Sequence, residues 1–246
     1  MRAPVRTIAA PPFPRDARWV NVASLRLDQQ RGRPVLIEFW DFCRPSSLRT
    51  LPYLKAWHER YAAAGLRVVS VHCPGFPPGR DEDAVAAAVE RLGIEHPVLL
   101  DTDLALWRAY ENRGWPARYL FDTDLRLFEY HFGEGGYRET EAAIQELLGT
   151  EGDFVPYQHP EDDPEARIAV PTPDQEGAWS GPYEAGAVWA VLEGSGTLRV
   201  NGEERRVDAP GAHLLVDHGR HEHGVLALEP GEGVTCHAVC FTPGLA

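Results

Sequence analysis

The hydrophobic pattern of the chain changes once, and this change constrains the fold more than any other feature. Up to residue 149, apolar runs of strand length alternate with segments whose apolar residues recur every three or four positions. From residue 183 onward, only short strand-like runs separated by Gly, Pro or Asn-Gly remain. Alternating strands and helices are typical of a parallel sheet with helical crossovers. We therefore predict an α/β domain over residues 18–149, followed by a small antiparallel β-sandwich or jelly-roll domain over residues 183–243.

The predicted elements of the first domain follow from local signals. Residues 34–40 (PVLIEFW) form the continuous apolar run expected of a strand buried on both faces. Residues 47–64 repeat apolar side chains at helical spacing, and Gly65 ends that helix. The remaining predicted elements are a strand at 66–71, a helix at 81–92, a strand at 97–101, a helix at 104–112, a hairpin of residues 118–121 and 126–131, and a helix at 137–148.

The two predicted domains are joined by residues 150–182, which are rich in proline and acidic residues and lack an apolar period. This composition predicts an extended linker. Beyond it, the dipeptide Asn201-Gly202 is a strong signal for a two-residue hairpin turn. The predicted strands of the second domain are residues 188–192, 197–200, 205–207, 213–216, 225–228 and 234–241.

Charge is spread unevenly along the chain. The formal net charge is −13. Residues 1–150 carry 20 acidic and 19 basic side chains, whereas residues 151–246 carry 17 acidic and 5 basic ones. An acidic half without a basic stripe argues against nucleic acid and anionic membranes as partners. No apolar run reaches the length of a membrane helix, and the first 20 residues lack the apolar core of a secretory signal, so we expect a cytoplasmic protein whose four cysteines are thiols.

Several segments of the first domain resemble one known family. A strand ending in Phe39-Trp40 precedes a turn with Cys and Pro and a helix with a proline one turn in, Pro52. This pattern, with LRTLPYLKAWHERY, VVSVHCPGF, AVERLGI, GWPARYLFD and HFGEGGYRETEAAIQELL, resembles the TlpA/DipZ-type thioredoxin-like proteins of the AhpC/TSA-redoxin superfamily. The β half, with GVTCHAVCFTPG near its end, resembles a shortened form of the jelly roll that follows this domain in such proteins. The resemblance implies a thioredoxin-like fold over residues 18–149.

The chemistry of this family depends on a C-x-x-C motif at the start of the helix, where the first thiolate attacks and the second resolves the mixed disulfide. In the alignment without gaps, which we prefer, Arg44 and Ser47 occupy the two cysteine positions. With one deletion and one insertion, residues 43–46 (CRPS) read as C-x-P-S, which keeps only the attacking thiol. Either alignment excludes dithiol cycling within the motif. At most a single-cysteine redox activity remains.

Cys43 is the candidate nucleophile, because it lies just before a predicted helix N-terminus and beside Arg44, which both favour a thiolate. Ser47 is counted with the catalytic candidates because of its position in the motif. Cys73 ends the neighbouring predicted strand and is a candidate resolving thiol, although two thiols too far apart to bridge is the interpretation we favour. No cofactor is predicted.

Three aromatic or proline residues are candidates for substrate binding. Trp40 ends the first buried strand. Trp115-Pro116 matches the cis-proline loop of the family, so the resemblance implies a cis peptide whose preceding backbone is free to pair with an extended peptide. The expected partners are therefore a thiol or disulfide protein or an extended peptide.

Histidines in the second domain raise a metal hypothesis. His218, His221 and His223 follow one another closely, but no earlier histidine motif complements them. We expect a solvated histidine-rich turn, with the three side chains as weak metal candidates only. Three functions thus remain open: a single-cysteine thiol-disulfide oxidoreductase or peroxidase-like redoxin, a redox-inactive binding module, and a metal-dependent β domain.

Overall fold

The computed structural model describes residues 1–5 and 7–246. The chain divides into two compact units that do not follow the sequence strictly. The first unit comprises Met1–Asp41, Ser46–Gly75 and Gly79–Gln158. The second unit comprises His159–Ala246 together with two short segments, Phe42–Pro45 and Phe76–Pro78. Each of these two segments comes shortly after a strand of the first unit in the sequence.

The first unit is built on a six-stranded mixed sheet. Its strands are β1 (Arg18–Val20), β2 (Val35–Trp40), β3 (Arg67–His72), β4 (Val98–Leu100), β5 (Ala117–Phe121) and β6 (Leu127–Phe132). The strand order is β1-β4-β3-β2-β5-β6. Strands β2, β3 and β4 are parallel, while β1, β5 and β6 pair antiparallel to their neighbours. The alternating strand and helix pattern therefore gives the predicted α/β architecture.

Four helices connect and cover this sheet: α1 (Pro45–Tyr61), α2 (Glu82–Arg91), α3 (Ala105–Ala109) and α4 (Tyr137–Leu148). Helix α4 has the predicted bounds. Helix α2 begins where the Asp81 side chain accepts hydrogen bonds from the backbone N–H groups of Asp83 and Ala84, which satisfies donors that have no partner within the helix. Helix α1 begins two residues earlier than predicted, because Pro45 is suited to a first helical position.

Strand β2 lies in the middle of the sheet and is buried along its whole length. Its residues alternate between two hydrophobic clusters, with Ile37 and Phe39 in one and Leu36 in the other. The second cluster contains Leu54 and Trp57 of α1. The continuous apolar run is thus explained by burial on both faces.

The N-terminal segment pairs with the edge strand β6, which the sequence pattern did not indicate. Ala3 N donates to Phe128 O and Leu127 N donates to Ile8 O. Isolated bridges join Arg2 to Glu129 and Ala9 to Arg126. Residues 1–3 and 8–10 thereby pair with backbone groups that an edge strand leaves unpaired.

The second unit is a set of antiparallel sheets. Its strands are β7 (Ile168–Ala169), β8 (Gln175–Glu176), β9 (Gly181–Gly194), β10 (Gly196–Val200), β11 (Glu203–Val207), β12 (Gly211–Leu226), β13 (Leu228–Pro230), β14 (Val234–Thr242) and β15 (Gly244–Leu245). Strands order as β12-β9-β14-β8, β11-β10-β13 and β15-β7. Within residues 183–243, all of which the structure describes, every regular element is a strand, as predicted.

Two expectations for this part of the chain differ from the structure. The predicted linker at residues 150–182 contributes β7 and β8, which pair with β15 and β14. The predicted histidine turn lies inside strand β12, which continues through a register shift between Asp217 and Glu222 opposite β9. Both differences have one cause: pairing with a strand distant in sequence supplies order that local composition does not predict.

None of the helices in the described part of the chain combines the length and the apolar character required to cross a membrane.

Candidate functional site

The end of β2 and the start of α1 are joined by a short turn that local hydrogen bonds hold in place. Asp41 N donates to Ser47 Oγ at 3.2 Å, which closes the turn over the residues between them. Ser46 Oγ donates to Trp115 O at 3.2 Å. The peptide bond between Trp115 and Pro116 is cis. The turn and the Trp115-Pro116 loop therefore lie next to each other at the carboxyl edge of the sheet.

The candidate nucleophile Cys43 lies in this turn, two residues before α1 begins at Pro45. Its side chain is fully buried, at 0% exposure, and Phe42 beside it is 1% exposed. In sequence, Cys43 is followed by Arg44 and by the start of α1 at Pro45. Solvent and substrates reach this thiol only after the segment moves.

Arg44 and Ser47, which take the cysteine positions in the alignment without gaps, are engaged in the structure. The Arg44 guanidinium lies 4.6 Å from the centroid of the Phe76 ring, a cation–π contact within the second unit. The Ser47 hydroxyl accepts the Asp41 N–H and is buried. Neither side chain supplies a thiol, so the two positions serve the local structure.

Cys73, the candidate resolving thiol, is held in a different way. Its Sγ donates to Asp101 Oδ2 at 3.3 Å. Burial first, and then the Asp101 carboxylate, raise the pKa of the Cys73 thiol well above its usual value. Asp101 is itself fixed, because it accepts the backbone N–H groups of Leu106 and Trp107 at the start of α3. Cys73 is therefore a protonated, buried thiol, and the hypothesis that it resolves a disulfide with Cys43 gains no support from its surroundings.

The candidate binding residues divide into a buried and a half-buried group. Trp40 is 1% exposed and packs edge-on against His72, with 5.4 Å between ring centroids, so it belongs to the core rather than to a binding surface. Trp115 is half-buried, donates from Nε1 to Cys73 O at 2.9 Å, and stacks on Trp107 at 4.2 Å. Its carbonyl accepts the Ser46 hydroxyl, so the expectation that this backbone is free is wrong for the carbonyl.

Two buried ionisable side chains lie opposite each other in the sheet, and the sequence motifs do not indicate them. Glu38 of β2 pairs in register with Arg118 of β5, and both side chains are buried. Burial raises the pKa of Glu38 to about 8, and the Arg118 guanidinium opposes this shift. Arg118 Nη2 donates to Gly135 O, and its guanidinium lies 4.9 Å from the Tyr137 ring centroid. A glutamate inside an apolar run was the available signal, but its partner is visible only once the strand register is known.

The three candidate histidines of the second unit contact neighbouring side chains and do not point toward a common metal position. His218 Nε2 lies 2.9 Å from Tyr183 OH. His221 Nε2 and His223 Nδ1 lie 3.4 and 3.2 Å from the two carboxylate oxygens of Glu184. Among the residues that the structure describes, no three His, Cys, Asp or Glu side chains are arranged to hold a metal ion. The weak metal hypothesis for these three histidines is therefore not supported by the geometry.

Comparison with known proteins finds similarity to one family in the first unit. The model of the AhpC/TSA family matches residues 9–128. Protein DipZ of Mycobacterium tuberculosis is 36% identical over 133 residues, which are 53% of this chain and 19% of DipZ. The thiol-disulfide oxidoreductase YkuV of Bacillus subtilis is 28% identical over 130 residues, which are 53% of this chain and 87% of YkuV. A solved thioredoxin-like superfamily protein superimposes with a TM-score of 0.55 at 23% identity, over 60% of this chain and 100% of the other.

The first unit has a thioredoxin-like fold, and residues 9–128 match the AhpC/TSA family model. The chain spans only about a fifth of DipZ, the relative with 36% identity. In this thioredoxin-like domain, the turn between β2 and α1 contains one thiol, Cys43, where the resemblance drawn from the sequence implies two.

Proposed function

We propose that this protein is a monothiol member of the thioredoxin-like redoxins and that Cys43 exchanges disulfides with a protein substrate. The observation that carries the proposal is the position of Cys43, in the turn between β2 and α1 and next to the Trp115-Pro116 loop of a redoxin domain. YkuV, a thiol-disulfide oxidoreductase by name, matches this chain over most of its own length. Neither the binding-module nor the metal hypothesis has comparable support.

The chemistry of one thiol requires a second thiol from outside the protein. The Cys43 thiolate attacks one sulfur of a substrate disulfide, a new sulfur–sulfur bond forms, and the other substrate sulfur leaves as a thiolate. A low-molecular-weight thiolate then attacks the mixed disulfide, releases Cys43 and stays bound to the substrate sulfur. A second low-molecular-weight thiolate then attacks the external sulfur of this substrate–thiol disulfide, which frees the substrate thiol and joins the two external thiols as a disulfide. Two electrons thus pass from two external thiols to the substrate. We place this exchange in the reducing cytoplasm, where such thiols are abundant.

The protein side chains have limited roles in this reaction. Arg44 and the start of α1 favour the thiolate of Cys43 over the thiol. Cys73 takes no part, because its proton is held by burial and by Asp101. Ser46 and Ser47 occupy the positions from which a second cysteine would resolve the mixed disulfide in the two alignments.

Trapping the mixed disulfide tests this proposal. The protein is incubated with glutathione disulfide, and the modified cysteine is located by peptide mass spectrometry. The wild type and the matched control Cys73→Ser should gain one glutathionyl group on Cys43, and Cys43→Ser should gain none in that segment. Insulin reduction by the wild type should depend on the concentration of added glutathione. Absence of the adduct on Cys43 in the folded wild type would refute the proposal.

A further inference from the structure

The segment that carries Cys43 is packed within the second unit. Phe42–Pro45 belongs to the same compact unit as His159–Ala246. Within that unit, Ala212 N donates to Phe42 O at 3.1 Å. Ala212 is the second residue of β12, whose first residues pair with β9. The carbonyl just before Cys43 is therefore tied to a strand of the main β structure.

A glycine makes this contact possible. Gly211 begins β12 with a φ of +133°, and a Cβ atom at this position would lie 2.9 Å from Phe42 Cδ2 and 3.3 Å from Phe42 O. Contacts below 3.0 Å require the neighbouring atoms to move. The Phe42 ring thus lies directly on the backbone of Gly211, where any other residue would push it away.

Phe42 and Cys43 are both buried, at 1% and 0% exposure, and Arg44 rests on Phe76 of the same unit. The contacts of this segment include a backbone hydrogen bond, a ring packed on a glycine and a cation–π contact. A loop held by contacts of this kind opens locally more often than a hydrophobic core unfolds.

We propose that the contact of Phe42 with Gly211 and Ala212, here called the Phe42 clamp, is an inhibitory device that keeps Cys43 unreactive until it opens. The opening equilibrium of the clamp sets the rate at which Cys43 meets a disulfide. This inference rests on the proposed function for its role in catalysis, but the shielding itself does not depend on that function. A substrate or partner that displaces Phe42 from Gly211 would activate the thiol.

The test uses Gly211→Ala in the full chain, with alkylation of each cysteine followed by mass spectrometry. The added Cβ should push Phe42 away and raise the alkylation rate of Cys43 by about tenfold or more, as expected when local opening becomes more frequent. The matched control is Gly202→Ala, because Gly202 also has a positive φ, +85°, but has no atom within 4 Å of a Cβ. Gly202→Ala should leave Cys43 alkylation unchanged. An unchanged Cys43 rate in Gly211→Ala would overturn the clamp.

Two further readouts separate the clamp from general loosening and from the proposed function. Cys240 is buried in the second unit, so an equal rise at Cys240 would show that the whole unit has loosened and would overturn the clamp. In a protein that carries Phe42→Ala, the additional change Gly211→Ala should not raise the alkylation rate of Cys43 further. A rise as large as in the wild-type background would also overturn the clamp. Faster alkylation without any glutathione adduct on Cys43 would leave the clamp in place and refute the redox function instead.

Discussion

Strands β2 and β3 run parallel and side by side, and each leads into a loop with a buried cysteine. The pairing continues past the strands, since Cys73 N donates to Trp40 O at 2.9 Å. After β3, Cys73 is fixed by a carboxylate that also caps α3. After β2, Cys43 is shielded by a few contacts of the segment Phe42–Pro45.

The difference shows that a position at the carboxyl edge of the sheet does not decide whether a thiol can react. Burial and a negative neighbour raise the pKa of Cys73, so its proton stays on sulfur in the folded protein. Cys43 lies beside Arg44 and a helix start, and its shield is separable from the sheet. The loop after β3 contains an unreactive thiol, Cys73, and the loop after β2 contains a thiol, Cys43, that becomes exposed when the segment Phe42–Pro45 opens.

The largest expected effect comes from supplying the missing second thiol. Ser46→Cys creates a C-x-x-C sequence with Cys43 at the start of α1, where a resolving thiolate can attack the mixed disulfide. Insulin reduction should rise by about tenfold or more over wild type, because resolution becomes intramolecular. Ser46→Ala is the matched control and should stay at the wild-type rate. No gain in Ser46→Cys would mean that Cys43 is not placed to attack.

Two buried groups should give opposite pH dependences of the unfolding free energy: Glu38 of β2, and His96, which is bonded to Ser70 of β3. Glu38 is the first. Its pKa in the folded state is about 8, far above the usual carboxyl value, so the folded state holds a proton that the unfolded state has lost. The stability contribution is fully present below about pH 4.5 and is lost as pH rises to 8. Relative to Glu38→Gln, the wild type should lose a few kcal/mol of unfolding free energy between pH 5 and pH 8 in urea titrations. Parallel pH curves for the two proteins would contradict the raised pKa.

The opposite pH dependence belongs to His96, whose Nε2 lies 2.7 Å from Ser70 Oγ. Ser70 is a residue of β3 and pairs in register with Glu38. Burial lowers the pKa of His96 to about 3. Below pH 6.5 the unfolded state therefore binds a proton that the folded state does not bind. The unfolding free energy decreases as pH falls from 6.5 toward 3. Between pH 7 and pH 5, the wild type should lose about 1–2 kcal/mol relative to His96→Gln. A wild-type curve no steeper than that of His96→Gln would show that His96 titrates normally.

The smallest effect concerns the carboxylate that holds Cys73. Asp101→Asn removes the negative charge and keeps one of the two oxygens that accept the N–H groups of Leu106 and Trp107, so one of these bonds is lost and the unfolding free energy should fall by about 1 kcal/mol. Alkylation of Cys73 should rise but remain slower than that of Cys43, because burial is the larger cause of its raised pKa. If Cys73 is alkylated faster than Cys43 in this variant, the difference in reactivity between the two loops depends on Asp101 alone.

The elements that could be predicted from the sequence are those whose signal is local. The apolar run of β2, the Asp81 cap of α2 and the bounds of α4 depend on residues next to each other in the chain. The pairing of residues 1–5 and 7–10 with the β5–β6 hairpin and the passage of β12 through the histidine segment depend on partners distant in sequence. For the histidine segment, composition alone predicted a turn.

The candidate site was predictable in outline and not in its energetics. The motif located Cys43, Ser47 and the Trp115-Pro116 loop, which lie together in the structure. The sequence could not show that Asp101 holds Cys73, that Arg118 faces Glu38, or that Gly211 receives Phe42. Each of these pairs joins residues more than 25 positions apart, so only the register and the packing reveal them.

The most direct test of the central claim is the order in which the buried cysteines react in the native wild-type protein. Timed alkylation at neutral pH, read by peptide mass spectrometry, gives a rate for Cys43, Cys73 and Cys240 in one experiment. The account predicts that Cys43 reacts well before the other two and at denaturant concentrations too low to unfold the chain. Reaction of Cys43 only upon global unfolding, or at the same rate as Cys73, would contradict it.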